Sequence, residues 1–296
     1  MQPLLQRIKE AEAEKIAIGH FNIGSLEHLK AIARAARALN LPVIIGVSEG
    51  EREYFGIHHV RDLIASYNAE HAKHSPSGRG FRLYLNADHT HSIEKVKEAV
   101  RLGFDEVLFD ASSRSFDENV SLTRAAVTAA KRMTPEVLVE GELGYIGNGS
   151  TVLKEAPKGA AVRPEDFTTP EEAARFVEET GVDLLAPAVG NLHGMLAGAS
   201  NPRLDIPRIR AIREAAGVPL ILHGGSGIAD EDFTAAIEAG VSVIHISTEL
   251  RVAWRKGMER VLREHPDEIA PPKVLPEVIE EIERTVTARL KLFTGL

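Results

Sequence analysis

The sequence predicts a (β/α)8 TIM barrel, of class α/β, with an extra C-terminal helix. Three observations carry that reading. Eight short runs rich in Val, Ile and Leu recur at 16–22, 42–48, 81–88, 106–112, 136–143, 183–190, 219–226 and 242–248. Helical patterns alternate with them, as in a parallel sheet covered on both faces. Eight such units in 296 residues match the closed barrel in length. An open doubly wound sheet is the alternative, but no linker or shift in composition divides the chain. One domain is therefore expected over 1–296.

Taken in order, MQPLLQRIKEAEAEK opens as a charged helix without the apolar stretch of a secretory signal. IAIGHFN (16–22) leads into the amphipathic helix LEHLKAIARAARALN (26–40), and PVIIGVS (42–48) follows directly. A long loop is expected at SPSGRG (75–80), before FRLYLNAD (81–88). EVLFDAS (106–112) precedes the helix ENVSLTRAAVTAAKRM (118–133), and EVLVEGEL (136–143) forms the fifth strand. The segment 146–167 is too long for an ordinary connection and reads as either a lid or a disordered loop. Beyond it come EEAARFVEETG (171–181), then the strands DLLAPAVG, PLILHGGS and SVIHIST. The tail from PPKVLPEVIEEIERTVTARLKLF is the extra helix, free to pack on the barrel or on a second subunit.

Composition narrows the chemistry. The chain is 44% hydrophobic and has no run of about 18 apolar residues, so no membrane partner is expected. With no cysteine, disulfides, thiolate metal sites and cysteine nucleophiles are excluded. A net charge of −8 without a basic block argues against nucleic acid or anionic lipid. A cytoplasmic globular protein is the plain expectation.

Twelve histidines supply the main signal. His28, His58, His59, His71, His74 and His265 fall in helical or loop contexts, where a solvated face is the default, and His91 in the DHTHS turn receives no role. His20, His89, His193, His223 and His245 instead sit at the carboxyl ends of strands, the rim where barrel active sites are built. One histidine there is more often a hydrogen-bonded core residue. Several on different strands change that, because three imidazoles can hold a Zn²⁺ ion with a position left open. Asp88, Asp110, Glu140 and Glu142 join them. Each could cap a following helix or orient a metal-binding histidine, and the two roles coexist.

In LHGGSGIADEDF (222–233), Gly224, Gly225 and Ser226 can present N–H groups and a hydroxyl to an anion, and the helix starting near Ala229 adds its positive end. Ser247 and Thr248 offer further donors, although glycine turns also merely tighten chain reversals. Other chemistries fit worse. GGSGI lacks the nucleophile-elbow spacing, GYIGNG (144–149) lacks that of a dinucleotide fingerprint, and no strand ends in a lysine for a Schiff base. The first strand also lacks the His-x-His pair usual in metal-dependent hydrolase barrels.

The motifs NADHTHS, FDASSRSFDENV, VEGELGYIG, TTPEEAARFVEETGVDLLAPAVGNLHG, LHGGSGIADEDF and VIHISTELR resemble, in order, those of the class II zinc-dependent ketose-bisphosphate aldolases. That family includes fructose-bisphosphate and tagatose-bisphosphate aldolases. The resemblance implies Asp88 as the proton-transferring acid and His89, His193 and His223 as ligands of one catalytic Zn²⁺ per chain. It implies that Asp110 and Glu142 hold or tune the metal, with a monovalent cation as a further cofactor candidate. Gly194, Gly224, Gly225, Ser226, His245, Ser247 and Thr248 match the site for dihydroxyacetone phosphate, and Ser48 faces the aldehyde partner. The implied reaction is reversible cleavage of fructose 1,6-bisphosphate to dihydroxyacetone phosphate and glyceraldehyde 3-phosphate, in a homodimer or homotetramer. Tagatose 1,6-bisphosphate or another phosphorylated ketose is the alternative substrate, and a non-catalytic phosphosugar-binding barrel the alternative function.

Three positions depart from the family pattern. His245 replaces an asparagine, Ala197 replaces a lysine, and NGST stands where the loop's acidic pair is expected, leaving Glu155 as the nearest carboxylate. Either a protonated His245 stands in for part of the cation lost at Ala197, or a neutral His245 fills the asparagine's space.

Overall fold

The structure is a computed structural model that describes residues 2–72, 80–147, 149–198 and 201–296, with 71 and 72 as backbone only. The loop expected at 75–80 lies, apart from Gly80, outside the described residues, as does His74. In chain order the elements begin with α1 (Leu4–Glu14), β1 (Ile18–Asn22), α2 (Leu26–Leu39) and β2 (Pro42–Val47). Then come α3 (Glu49–Phe55), α4 (Ile57–Ala72), β3 (Arg82–Thr90), α5 (Ile93–Arg101), β4 (Glu106–Phe109), α6 (Phe116–Met133) and β5 (Leu138–Leu143). A short strand β6 (Val152–Leu153) precedes α7 (Pro170–Thr180), β7 (Leu184–Pro187) and its partner β8 (Met195–Leu196). The chain closes with α8 (Ile206–Ala216), β9 (Leu220–Leu222), α9 (Asp230–Glu238), β10 (Val241–Ile246), α10 (Thr248–Glu264) and α11 (Pro271–Thr294).

Eight of these strands close a parallel barrel in the order β1-β2-β3-β4-β5-β7-β9-β10, and β10 pairs back with β1. All eight predicted strands are present. The local signals that start the helices are capping boxes: Ser48 with Glu51 opens α3, Ser115 with Glu118 opens α6, and Thr169 with Glu172 opens α7.

Strand side chains alternate between faces, and inside the barrel the alternation stacks residues by level. Ile18, Ile44, Tyr84, Leu138, Leu184, Ile221 and Val243 form an apolar floor. Two residues further along their strands, the inward positions become His20, Asn86, Glu140, His223 and His245, all buried. Two further again come Asn22, Asp88 and Glu142, also buried. The barrel is thus oily at the amino ends of its strands and polar at the carboxyl ends.

The two extra helices have distinct work. α1 plugs the apolar end, seating Leu4, Ile8 and Ala11 against the floor. α11 packs against α10 and α2 and buries Val278, Ile282, Val286, Leu290 and Phe293. Of the two placements open to the tail helix, packing on its own barrel is the one observed.

Ile8 has no solvent exposure, so Ile8→Ala should leave a void beneath the floor. The expected cost is about 2–4 kcal/mol, read as a lower urea midpoint with an unchanged m-value.

Candidate active site and metal centre

Asp88 and His89 are adjacent in sequence, so a regular strand would send them to opposite faces. β3 avoids this. Its register against β4 shifts between Ala87 and Thr90, and His89 takes a left-handed φ of 40°, a costly conformation for a residue with a side chain. The irregularity turns both side chains toward the barrel mouth, as bulges do. Arg52 holds it in place. The buried guanidinium donates to Val47 O (2.6 Å), Asp88 O (3.1 Å) and Thr90 Oγ1 (3.0 Å), tying the end of β2 to the bulge. Asp88 Oδ2 accepts from Asn22 Nδ2 at 2.8 Å, while its buried Oδ1 has no hydrogen-bond partner.

His89, Glu142, His193 and His223 each bring a ligand-type atom to within 4.8 Å of the others. The rings of His89 and His193 lie 4.9 Å apart, those of His89 and His223 5.3 Å, all steeply inclined to one another. In each imidazole one nitrogen is engaged by a protein acceptor. His89 Nδ1 pairs with Asp110 Oδ2 (2.8 Å), His193 Nδ1 with Gly147 O (2.6 Å) and His223 Nε2 with Glu140 Oε1 (2.8 Å). Such contacts select the tautomer that leaves the other nitrogen's lone pair for a cation. His223 Nδ1 and both Glu142 oxygens are buried without a partner. Unpaired buried polar atoms are costly, and a divalent ion would satisfy all of these. The residues fit a zinc site with three imidazoles and a carboxylate. Asp110 stands one step back: it buttresses His89, and its Oδ1 accepts from Ser112 N and Oγ.

The buried acids and imidazoles shift one another's titration. Burial, reinforced by Asp110, pushes Glu142 well above the ordinary carboxylate range. Burial resists protonation of His89 too, but Asp88, Asp110 and Glu142 outweigh it and raise the imidazole to about 10. Burial and the neighbouring His89 hold His193 and His223 down at about 3, so both rings stay neutral, the form a metal requires.

His20, expected at the rim, is fully buried and is not among the residues that line the cavity. Its ring stacks on His245 with centroids 3.4 Å apart and planes within 1°, and His245 in turn leans on His223 at 3.9 Å. Gly46 makes the stack possible, because a Cβ there would run into the His20 ring. Burial, then His20 and His223, drive His245 well below the normal histidine range. Of the two alternatives for His245, this direction favours the neutral ring that fills the asparagine's space. It lines the cavity with a buried, unpartnered Nε2, and its Nδ1 lies 3.8 Å from Asp88 Oδ1.

A cavity of about 380 Å³ opens above these groups. Of the residues expected to touch substrate, Ser48, Gly194, Gly224, Ser226, His245, Ser247 and Thr248 line it. Gly224 has φ 61°, and a Cβ would collide with the Leu192 backbone, so only glycine suits the turn. Gly225 is not among the lining residues, and its N–H donates to His245 O at 3.1 Å. Ser226 Oγ accepts from Ser247 N and Glu249 N, binding the glycine turn to the start of α10, while Ser247 Oγ is buried and unpartnered.

The 146–167 segment packs down. β6 pairs with β8, Ile146, Ala161 and Phe167 bury against Ala188, and Gly149, Ser150 and Thr151 overhang the cavity. It is a flap, with Asn148 outside the described residues, and Glu155 is not among the lining residues. Sequence reasoning missed Asn22, Glu51, Arg52 and Arg251. The capping box at Ser48 was the one available hint of Glu51, whose Oε2 accepts from Ser48 N and Oγ at 2.8 and 2.9 Å. His91, given no role, lines the cavity and donates from its N–H to Glu49.

Arg52→Met should strand the acceptors at the bulge, at about 1–3 kcal/mol for each buried group left unpaired. A melting temperature within error of the parent would show that the bulge holds without this arginine.

The family described as class-II fructose-bisphosphate aldolase matches residues 2–295. A fructose-bisphosphate aldolase of Geobacillus stearothermophilus is 35% identical over 293 residues, covering 97% of this chain and 95% of that protein. One from Staphylococcus epidermidis is 34% identical over 285 residues, covering 96% and 94%. Among solved structures, the YdjI aldolase of Escherichia coli K12 superposes with a TM-score of 0.79 at 30% identity, covering 98% of this chain and 96% of that one.

Proposed function

The chain belongs to the class II fructose-bisphosphate aldolase family, and from that premise we propose that it cleaves fructose 1,6-bisphosphate with one Zn²⁺ held by His89, His193 and His223. The observation that carries this reading is a set of buried atoms without partners: His223 Nδ1 and Asp88 Oδ1 on residues that line the cavity, and both oxygens of Glu142, which is grouped with His89, His193 and His223 within 4.8 Å. Three are donors for a cation and the fourth is a base. Glu142 completes the ligand set, and Asp110 and Glu140 orient the imidazoles.

Zinc bound there supplies Lewis acidity toward the ketose oxygens, which permits C3–C4 cleavage. Asp88 Oδ1 takes the C4 hydroxyl proton as that bond breaks, so the aldehyde leaves neutral and the electron pair passes to C3. In condensation it returns the proton. Asn22 fixes the carboxylate through Oδ2 and keeps Oδ1 free. Gly194, Gly224, Ser226, Ser247 and Thr248 take the phosphate of the dihydroxyacetone half at the amino end of α10, where N–H groups and hydroxyls converge. Holding that end orients the reacting carbons in advance. Neutral His245 offers a hydrogen bond in the place of the family's asparagine. The whole chain acts as one catalytic domain. Family membership supports a cytoplasmic homodimer or homotetramer, and no helix among the described residues is long and apolar enough to cross a membrane.

Metal-loaded protein should contain about one Zn²⁺ per chain, and a chelator should abolish triose-phosphate release. His223→Ala should lower occupancy and activity together. A variant with full metal content would exclude His223 as a ligand.

Asp88→Ala should keep its metal yet lose about 10²–10⁴-fold in cleavage rate. Proton exchange on dihydroxyacetone phosphate, the other half-reaction, should fall less. Equal losses would remove Asp88 from the C4 proton transfer.

A further inference from the structure

The glycine turn beside the start of α10 receives little support from the sheet. β9 ends at Leu222, and beyond it Gly224 (φ 61°) and Gly227 (φ 86°) lie in the left-handed region that glycine permits. Other segments therefore fix the turn. Gly225 N donates to His245 O at 3.1 Å, and Asn201 Nδ2 donates to Ser226 O and to Gly194 O, both at 2.9 Å. At the far end Gly227 N donates to Glu249 Oε1 at 3.0 Å. Glu249 also gives, from its backbone N–H, one of the two hydrogen bonds that Ser226 Oγ accepts. With its two lone pairs engaged, the Ser226 hydroxyl is left as a donor, the role an anion requires.

Glu249 thus organises the turn through its side chain and its backbone together. Its carboxylate, however, sits in the first turn of α10, next to the Ser247 and Thr248 donors. Uncompensated negative charge there would oppose a phosphate dianion. Arg289 answers it from the tail helix α11. Nε donates to Glu249 Oε2 at 2.8 Å and Nη2 to Oε1 at 2.9 Å, a two-point fork that fixes the plane of the carboxylate. Nη1 reaches Asp230 Oδ1, at the start of α9, at 2.6 Å, and the guanidinium lies 5.2 Å over the Phe233 ring. The Arg289 and Glu249 side chains are only 18% and 10% exposed, so solvent screens the pair weakly.

We infer that Arg289, on the tail helix, is a positioning residue for the phosphate of the dihydroxyacetone half, acting through Glu249 on the Gly224–Gly227 turn. This rests on the aldolase reading above. Arg289 is not among the residues that line the cavity, so it touches no substrate atom there. It holds Glu249 against Gly227 N before substrate arrives, which lowers the ordering cost of binding. A lysine ammonium at the same place would supply the charge without the planar fork. α11 therefore serves the site as well as the packing of the barrel.

The test uses zinc-loaded full-length protein in two reactions. One is proton exchange on dihydroxyacetone phosphate, which involves no aldehyde. The other is condensation with D-glyceraldehyde 3-phosphate at saturating dihydroxyacetone phosphate. Arg289→Met should raise KM for dihydroxyacetone phosphate in the exchange reaction by about five- to a hundred-fold, the range for a buried charged group that loses its partner. KM for the aldehyde and the zinc content should hold, and kcat should fall less than KM rises. Arg289→Lys keeps the cation and is the gentler change. It should show the same split at smaller size, and it carries the test if the methionine variant does not fold. An unchanged KM for dihydroxyacetone phosphate would overturn the assignment. Equal rises for both substrates would overturn it too, because they mark a general loss of structure. Wild-type protein that holds zinc yet exchanges no proton would instead overturn the aldolase reading, and this inference with it.

Discussion

Closure of the barrel is the constraint on which the rest depends. Eight strands with alternating side chains must send half of their residues into one narrow column, from which water is largely excluded. Whatever polar groups stand there must satisfy one another. The lower part of the column avoids the problem with Ile, Leu, Val and Tyr84 under the α1 plug. The upper part meets it only in part, with a connected network that still leaves buried atoms of His20, Asn86, Glu106 and Glu140 without partners. Asn86 bridges His20 and Glu106, and Glu140 supports His223. Burial pushes Glu140 up to about 8, so a dense set of acids is accommodated by keeping some of them protonated.

A second constraint conflicts with the first. The site uses two consecutive residues of one strand, which strand alternation forbids. The bulge in β3 resolves the conflict locally, and its cost, a left-handed histidine and a broken ladder, is offset by Arg52 from the neighbouring connection. A buried arginine that does not line the cavity is thus part of the site's architecture, through its bond to the Asp88 carbonyl.

Charge is distributed in layers. At the centre, Asp88, Asp110 and Glu142 crowd around His89, an acid-rich pocket with unpaired atoms suited to a divalent ion. Around it, His20, His223 and His245 form a neutral stack that adds aromatic surface without adding charge. At the mouth, Arg251 is tempered by Glu51. Among the described residues that line the cavity, Arg251 is the one lysine or arginine.

The sequence by itself determined the eight strands, the barrel, the motif order that marks the family, and the residues that gather at the rim. These are local: each strand is a short apolar run, each capping box spans four residues, and most site residues sit at or just beyond the end of a strand. It left open how the tail helix packs and whether 146–167 orders, because both depend on surfaces that exist only once the barrel is closed. Tertiary structure alone decided that His20 is closed off from the cavity, because the ring stacked on it belongs to His245, a register partner from the far end of the chain. It also lowers the His245 pKa, because that shift follows from burial and from neighbours on other strands, none of which is adjacent in sequence. Arg52, Glu51 and Arg251 were illegible for the same reason. Each works by reaching an element far along the chain, and nothing in its local sequence marks the partner.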